Sequence, residues 1–103
     1  MSTPEHGGVF DVIKQIANYA DGTPGVNDAL TKGANGVIES SNLHRKGDYK
    51  GASRRLGAAI THIKTAAALG RQDLGDKNYG LAYSPEGILD MHHQSYRYGY
   101  VDN

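Results

Sequence analysis

"GDYKGASRRLGAAITHIKTAAALG", Gly47 to Gly70, carries the most regular apolar spacing in the chain. Tyr49, Ala52, Leu56, Ala59, Ile60, Ile63 and Ala67 recur at three- and four-residue steps, so they share one face of an α-helix. Gly47 suits the left-handed position that closes a preceding helix, and Asp48 suits the N-cap of the one that follows. Gly70 is read as the stop of this helix, which then covers Tyr49 to Leu69. The stretch predicts an all-α chain, because a helix with one apolar stripe must bury it on another element.

That other element lies immediately upstream. Val26, Leu30, Gly33, Val37 and His44 fall on one side of a helix predicted from about Val26 to Lys46. Gly33-Ala34-Asn35-Gly36 interrupts it with two interior glycines, each costing about 1 kcal/mol relative to alanine. Either the helix breaks there, or the glycines allow close approach to a neighbour. The second reading is favoured, with Ala52, Ala59 and Ala66 facing Gly33 and Gly36. Two helices of this length joined by a tight turn predict a long antiparallel hairpin of roughly 30 Å.

A further helix is predicted upstream from Val9 to Asp21, with Val9, Val12, Ile13, Ile16 and Ala20 inward. Asp21-Gly22-Thr23-Pro24-Gly25 ends it. Downstream, residues 71–84 (RQDLGDKNYGLAYS) show no stripe and read as an extended strap. Ser84-Pro85-Glu86 is a helix start, and a short helix follows with Ile88, Leu89, His92 and Tyr96 on its inner face. The predicted organisation is an N-terminal arm over 1–8, a three-helix body over 9–70, a strap over 71–84, a short helix over 85–97 and a tail over 98–103.

Composition narrows the function classes. The chain has 103 residues, enough for one domain. Eleven basic residues balance eleven acidic ones, so neither nucleic acid nor an anionic membrane is the default partner. Cysteine is absent, which excludes disulfides, thiolate metal sites and cysteine nucleophiles. No apolar run approaches the roughly 20 residues of a membrane span. MSTPEHGG has neither the basic nor the apolar region of a secretory signal, so the expectation is a protein made in a reducing cytoplasm.

Four groups of side chains invite a functional reading. Arg45, Lys46, Lys50, Arg54 and Arg55 surround a single acid, Asp48, at the hairpin tip. They suit an acidic protein partner or phosphate, against the plainer reading of a solvated tip. Nucleic acid is disfavoured because only one aromatic, Tyr49, stands among these cations. Five of the seven tyrosines fall between Tyr79 and Tyr100. Tyr96, Tyr98 and Tyr100 make a candidate docking arm, with Tyr96 anchored on its own domain and Tyr98 and Tyr100 offered to a neighbouring chain, since tyrosine buries area while keeping a polar tip. In an extended tail Tyr98 and Tyr100 share one side. Packing of the tail on its own helices competes equally with docking on a partner.

The histidines come third. Glu86, Asp90 and His93 fall on one helical line and could hold a divalent ion. The plainer reading, a solvated face with an Asp90–His93 contact, is preferred because no second histidine stands at the spacing of strong zinc motifs. No metal or cofactor is therefore assigned. His92 and His44 are expected to be packed and His62 exposed, and His6, in the polar arm, is uninformative. Fourth, Gly33-Ala34-Asn35-Gly36 lacks the lysine of a phosphate loop, and Ser84 is not in a nucleophile elbow, so no catalytic residue is assigned either.

"NLHRKGDYKGASRRLGAAITHIKTAAALG", residues 42–70, resembles the helical hairpins of tetratricopeptide and microtubule-interacting-and-trafficking domains, through GDYKGA followed by Leu56 and Ala59. The chain has no second repeat, so a tetratricopeptide array is excluded. A Gly/Ala-rich hairpin with polar arms is also similar to small virion proteins of tailed bacteriophages. That resemblance implies a capsid-decorating, minor capsid or connector subunit, docked on neighbouring protein chains such as a major capsid or connector protein, in a symmetric or homo-oligomeric assembly. The expectation is a non-enzymatic assembly protein, made in the cytoplasm and carried in a virion. The alternative is a small intracellular regulator that binds protein or nucleic acid through the basic tip.

Overall fold

The computed structural model describes residues 6–74 and 85–100. These residues form four helices in chain order: α1 (Gly7–Tyr19), α2 (Val26–Arg45), α3 (Tyr49–Leu74) and α4 (Pro85–Tyr100). No strand occurs among them. None of the described helices is long and apolar enough to cross a membrane.

The centre of the fold is the contact between α2 and α3. Ser40 lies opposite Ala52, donating its hydroxyl hydrogen to the Ala52 carbonyl at 2.8 Å. Gly36 lies against Ala59, and Gly33 against Ile63 and Ala59. The paired numbers fall on one helix as they rise on the other, so the two run in opposite directions. A Cβ placed on Gly36 would stand 2.7 Å from the Ala59 Cβ, and one on Gly33 would stand 2.5 Å from the Ile63 Cγ1. Such distances lie far inside van der Waals contact. The glycines are the reason the helices come this close, and α2 runs unbroken through both of them.

The turn between the two helices is closed by its own backbone. Gly47 has φ 85°, a left-handed conformation that a side chain disfavours. Its N–H donates to the His44 carbonyl at 3.0 Å, and the Asp48 N–H donates to the Leu43 carbonyl at 3.0 Å. This pair of bonds satisfies carbonyls that the end of a helix leaves open. Asp48 then caps α3, its carboxylate accepting the Gly51 N–H at 2.9 Å. Asp48→Ala should cost about 1 kcal/mol in urea unfolding while Asp48→Asn keeps most of that stability. Equal stability of both variants would remove the cap from the account.

Around this centre, Val9, Val12 and Ile16 of α1 and its C-cap residue Ala20 are buried, as are Leu56, Ile60, Ile63 and Ala67 of α3. Leu89 and Tyr96 of α4 close the other side. The Tyr19 hydroxyl donates to the Ala67 carbonyl at 3.4 Å and ties the end of α1 to α3.

Four boundaries differ from the sequence expectation. First, α1 starts at Gly7 with buried His6 as its N-cap residue, so the arm predicted over 1–8 ends earlier; residues 1–5 lie outside the described ones. Second, α3 does not stop at Gly70. That glycine is buried inside the helix, where an added Cβ would meet the Tyr19 ring at 2.9 Å and the Ala20 Cβ at 3.0 Å. It serves close packing of α1 on α3, and the helix continues to Leu74. Third, residues 71–74 of the expected strap are therefore helical, while 75–84, with Ser84, lie outside the described residues. Fourth, α4 continues beyond residue 97 to Tyr100, so the predicted tail over 98–103 is helical over its first three residues; 101–103 lie outside the described ones.

Candidate functional site

Two polar regions stand out: a cluster of rings buried between helices, and the cationic turn between α2 and α3.

The ring cluster joins the first described residue to the last helix. His6 Nδ1 and His92 Nε2 lie 2.7 Å apart, with ring centroids separated by 4.9 Å. Tyr96, one turn further along α4, stands with its ring 5.8 Å from His6. Its hydroxyl lies 3.2 Å from His44 Nδ1 of α2. The His44 ring in turn packs 4.9 Å from that of Tyr49, at the start of α3. Every helix thus contributes a ring or, through the His6 cap of α1, a ring at its threshold. Burial, then the neighbouring His92 and His44, hold the His6 imidazole down to about 4, from the usual histidine value of 6.5. Burial, then His93, lowers His92 as well. The other His6 nitrogen, Nε2, is buried with no hydrogen-bond partner among the described residues.

Next to this cluster, His93 turns onto α3. Its Nε2 lies 3.0 Å from the Ser53 carbonyl and 3.3 Å from the Ser53 hydroxyl. A serine beside an imidazole suggests an activated nucleophile. The geometry argues otherwise. A carbonyl only accepts, so the His93 Nε2 carries a hydrogen and cannot take one from the Ser53 hydroxyl. Ser53 is also buried. The pair is a strut between α3 and α4.

The sequence reading of His93 is corrected here. Asp90 does not contact His93 but pairs with Lys64 of α3 at 2.6 Å, and His93 is half-buried against Ser53. The line through Glu86, Asp90 and His93 is thereby taken up by packing at two of its three positions, and the Glu86 side chain lies outside the described residues. No group of three metal-ligating side chains is assembled among the described residues. His62, expected to be exposed, is half-buried.

Tyr96 lies on the inner face of α4 as expected, buried with its hydroxyl at His44, and so offers no ring to a partner. Tyr98 and Tyr100 have helical backbone, which removes the extended-chain argument that set them on one side. Their side chains lie outside the described residues.

The cationic turn is laid out differently from the tyrosines. Arg45 is exposed and donates to the Asn42 side-chain oxygen at 2.6 Å. Arg55 is bound to Glu39 across α2 and α3, so it serves the helix contact and not the tip. Lys46, Lys50 and Arg54 are exposed and make no ion pair among the described residues. Lys50 and Arg54 stand one turn apart on α3. The first turn of α3 contains no acid. The positive end of a helix favours acids, and cations there repel it. Asp48, the one nearby carboxylate, is engaged as the cap. The turn therefore presents a net positive charge, with Arg45, Lys46, Lys50 and Arg54 set against the single carboxylate of Asp48 among the described residues.

Sequence reasoning missed His6. It saw the ring in a polar, glycine-rich segment with no periodicity, and its partner lies 86 positions away. Only the proline-free run into Val9 hinted that the helix begins sooner.

Compared with protein-family models, curated proteins and solved structures, the chain matches none.

Proposed function

We propose that the chain is a non-enzymatic docking module, a rigid helical hairpin that engages an acidic surface of a protein partner through Lys46, Lys50 and Arg54, flanked by Arg45. The observation that carries this reading is the placement of Lys50 and Arg54 on the first two turns of α3, with no acid in its first turn. Fold stability favours the opposite charge at that end of a helix. Two cations kept there against that preference, with no ion pair among the described residues, and Lys46 beside them at the end of α2, suit an external acidic group. In its narrower form the reading makes the chain a small assembly subunit, such as a virion component docked on its neighbours. Arg55, Tyr96, Tyr98 and Tyr100 have no part in the proposed contact.

The test is binding of poly-glutamate by the full chain at physiological salt, measured by fluorescence anisotropy, with a short mixed-sequence DNA duplex as comparison. The triple reversal Lys46→Glu, Lys50→Glu, Arg54→Glu should keep the circular dichroism of the parent and lower poly-glutamate affinity at least tenfold. Exposed charges also predict weakening as salt rises past the point where the screening length drops below about 8 Å. Tighter binding to the duplex than to poly-glutamate would transfer the tip to the nucleic-acid alternative. Unchanged poly-glutamate affinity in the triple variant would remove the tip from the function.

A further inference from the structure

We propose that the His6–His92 contact is a proton-operated latch: it holds the start of α1 on α4 while both rings are neutral and opens when the pair takes up one proton.

The two rings have four nitrogens. The 2.7 Å gap between His6 Nδ1 and His92 Nε2 holds one hydrogen and no more. The neutral pair has two hydrogens to place, one in the gap and one on His92 Nδ1. This leaves His6 Nε2 as a bare lone pair, which suits its surroundings, since it is buried and has no partner among the described residues. A buried acceptor without a partner is tolerated better than a buried N–H without one. A third hydrogen has a single vacancy in the closed pair, His6 Nε2. Whichever ring is drawn with the charge, that proton sits on a nitrogen with no acceptor among the described residues, in a residue only 4 % exposed. The closed latch therefore excludes the proton, and an acidified chain must open the contact to accept it.

Nothing among the described residues relieves the charge. From α4, His6 faces His92 and the Tyr96 ring, with His93 beside His92. From α2 it meets the field of His44, and from α3 Tyr49 lies behind His44. No carboxylate among the described residues acts on either ring. The lowered basicity of both imidazoles agrees with this layout.

Opening is local. The His6 carbonyl accepts the Val9 N–H at 3.0 Å and the Phe10 N–H at 3.2 Å, so losing His6 frays the first turn of α1. Val12 and Ile16, buried further along, still hold the rest of the helix. What acid releases is the first turn of α1, while α2 and α3 stay packed.

The direction with pH follows from linkage. His6 binds a proton less readily in the folded chain, at about 4, than in the unfolded chain, at about 6.5. Between these values the unfolded chain holds more protons. The stabilisation is complete above about 6.5 and is lost as pH falls towards 4. For each excluded proton the ratio of folded to unfolded chain drops about tenfold per pH unit in that window.

Two readouts on the full chain test the latch. In nitrogen-resolved NMR of the histidine rings, His6 should stay neutral through pH 6, and the Val9 and Phe10 amides should move together with its titration while those of Leu56 and Ile63 do not. In urea unfolding, the parent should lose stability over the stated window, and His6→Phe and His6→Gln should flatten that dependence. Titration of His6 near 6.5 with the Val9 and Phe10 amides unmoved would overturn the proposal. So would an unchanged pH dependence in a His6 variant that folds. Should both variants fail to fold, the NMR titration of the parent chain decides alone.

Discussion

Gly36→Ala is expected to destabilise the chain by about 1–3 kcal/mol, although alanine is the better helix former by about 1 kcal/mol. The sign is the informative part. In an exposed or broken helix the substitution would raise stability. Here the new Cβ would stand 2.7 Å from the Ala59 Cβ and 3.3 Å from the Ala59 Cα. Ala59 has no rotamer that moves its Cβ away, and its backbone is inside α3. Relief comes only from separating the helices, which loosens the contacts of Ser40 and Gly33 as well. Ala59→Gly removes the Cβ contact. Added to Gly36→Ala it should restore part of the loss, giving a coupling of about 1 kcal/mol in a double-mutant cycle. Urea midpoints of the four chains check this. A midpoint that rises in Gly36→Ala would mean the helices do not approach as described.

Leu56→Ala is expected to cost about 2–5 kcal/mol. Leu56 is fully buried in the first third of α3, among the largest side chains that solvent does not reach. Ile60 and Ile63 lie on the same face, and Leu89 closes the core from α4. A shortened side chain leaves a space that these neighbours, each fixed to its own helix, fill only in part. Domains of this size are stable by only about 5–15 kcal/mol, so this one change removes a large share. Ile38→Ala is the matched control, because Ile38 is 51 % exposed and its loss should fall within about 0.5 kcal/mol. Chemical unfolding of the two variants should separate them clearly. Similar losses in both would mean that the stripe of α3 is not the core face.

The legible parts of the fold are those written in short-range spacing. The α3 stripe, the Gly47-Asp48 turn and the apolar side of α2 could be read because each involves residues within a few turns of one another. Gly70 was misread because a glycine that ends a helix and one that admits a neighbour look alike; the Tyr19 ring that distinguishes them lies 51 positions upstream (70 − 19). The same holds for Asp90, which was expected to meet His93 on its own helix and instead meets Lys64 on another. For the candidate site, the cluster of cations was visible as composition, but its division was not. Arg55 belongs to the helix contact through Glu39, and Lys46, Lys50 and Arg54 do not. The latch histidines were invisible for the plainest reason. Their meeting is decided by how α1 and α4 dock, which nothing local to either residue records.

The contact of Ser40 with the Ala52 carbonyl has a bearing on sliding. Helix pairs lined with small residues slip easily past one another, since one shallow groove resembles the next. In this chain a slip of α3 by one turn is blocked in both directions. One direction sets Ile63 against Gly36 and puts Leu56 before Ser40, where its side chain covers the carbonyl that the hydroxyl needs. The other brings Arg55 to the place of Ala59 and buries a guanidinium. A buried hydroxyl without an acceptor costs about 1–3 kcal/mol, and a buried unpaired charge costs more. The smooth interface is thus notched, so that two helices able to lie this close have one way of doing so.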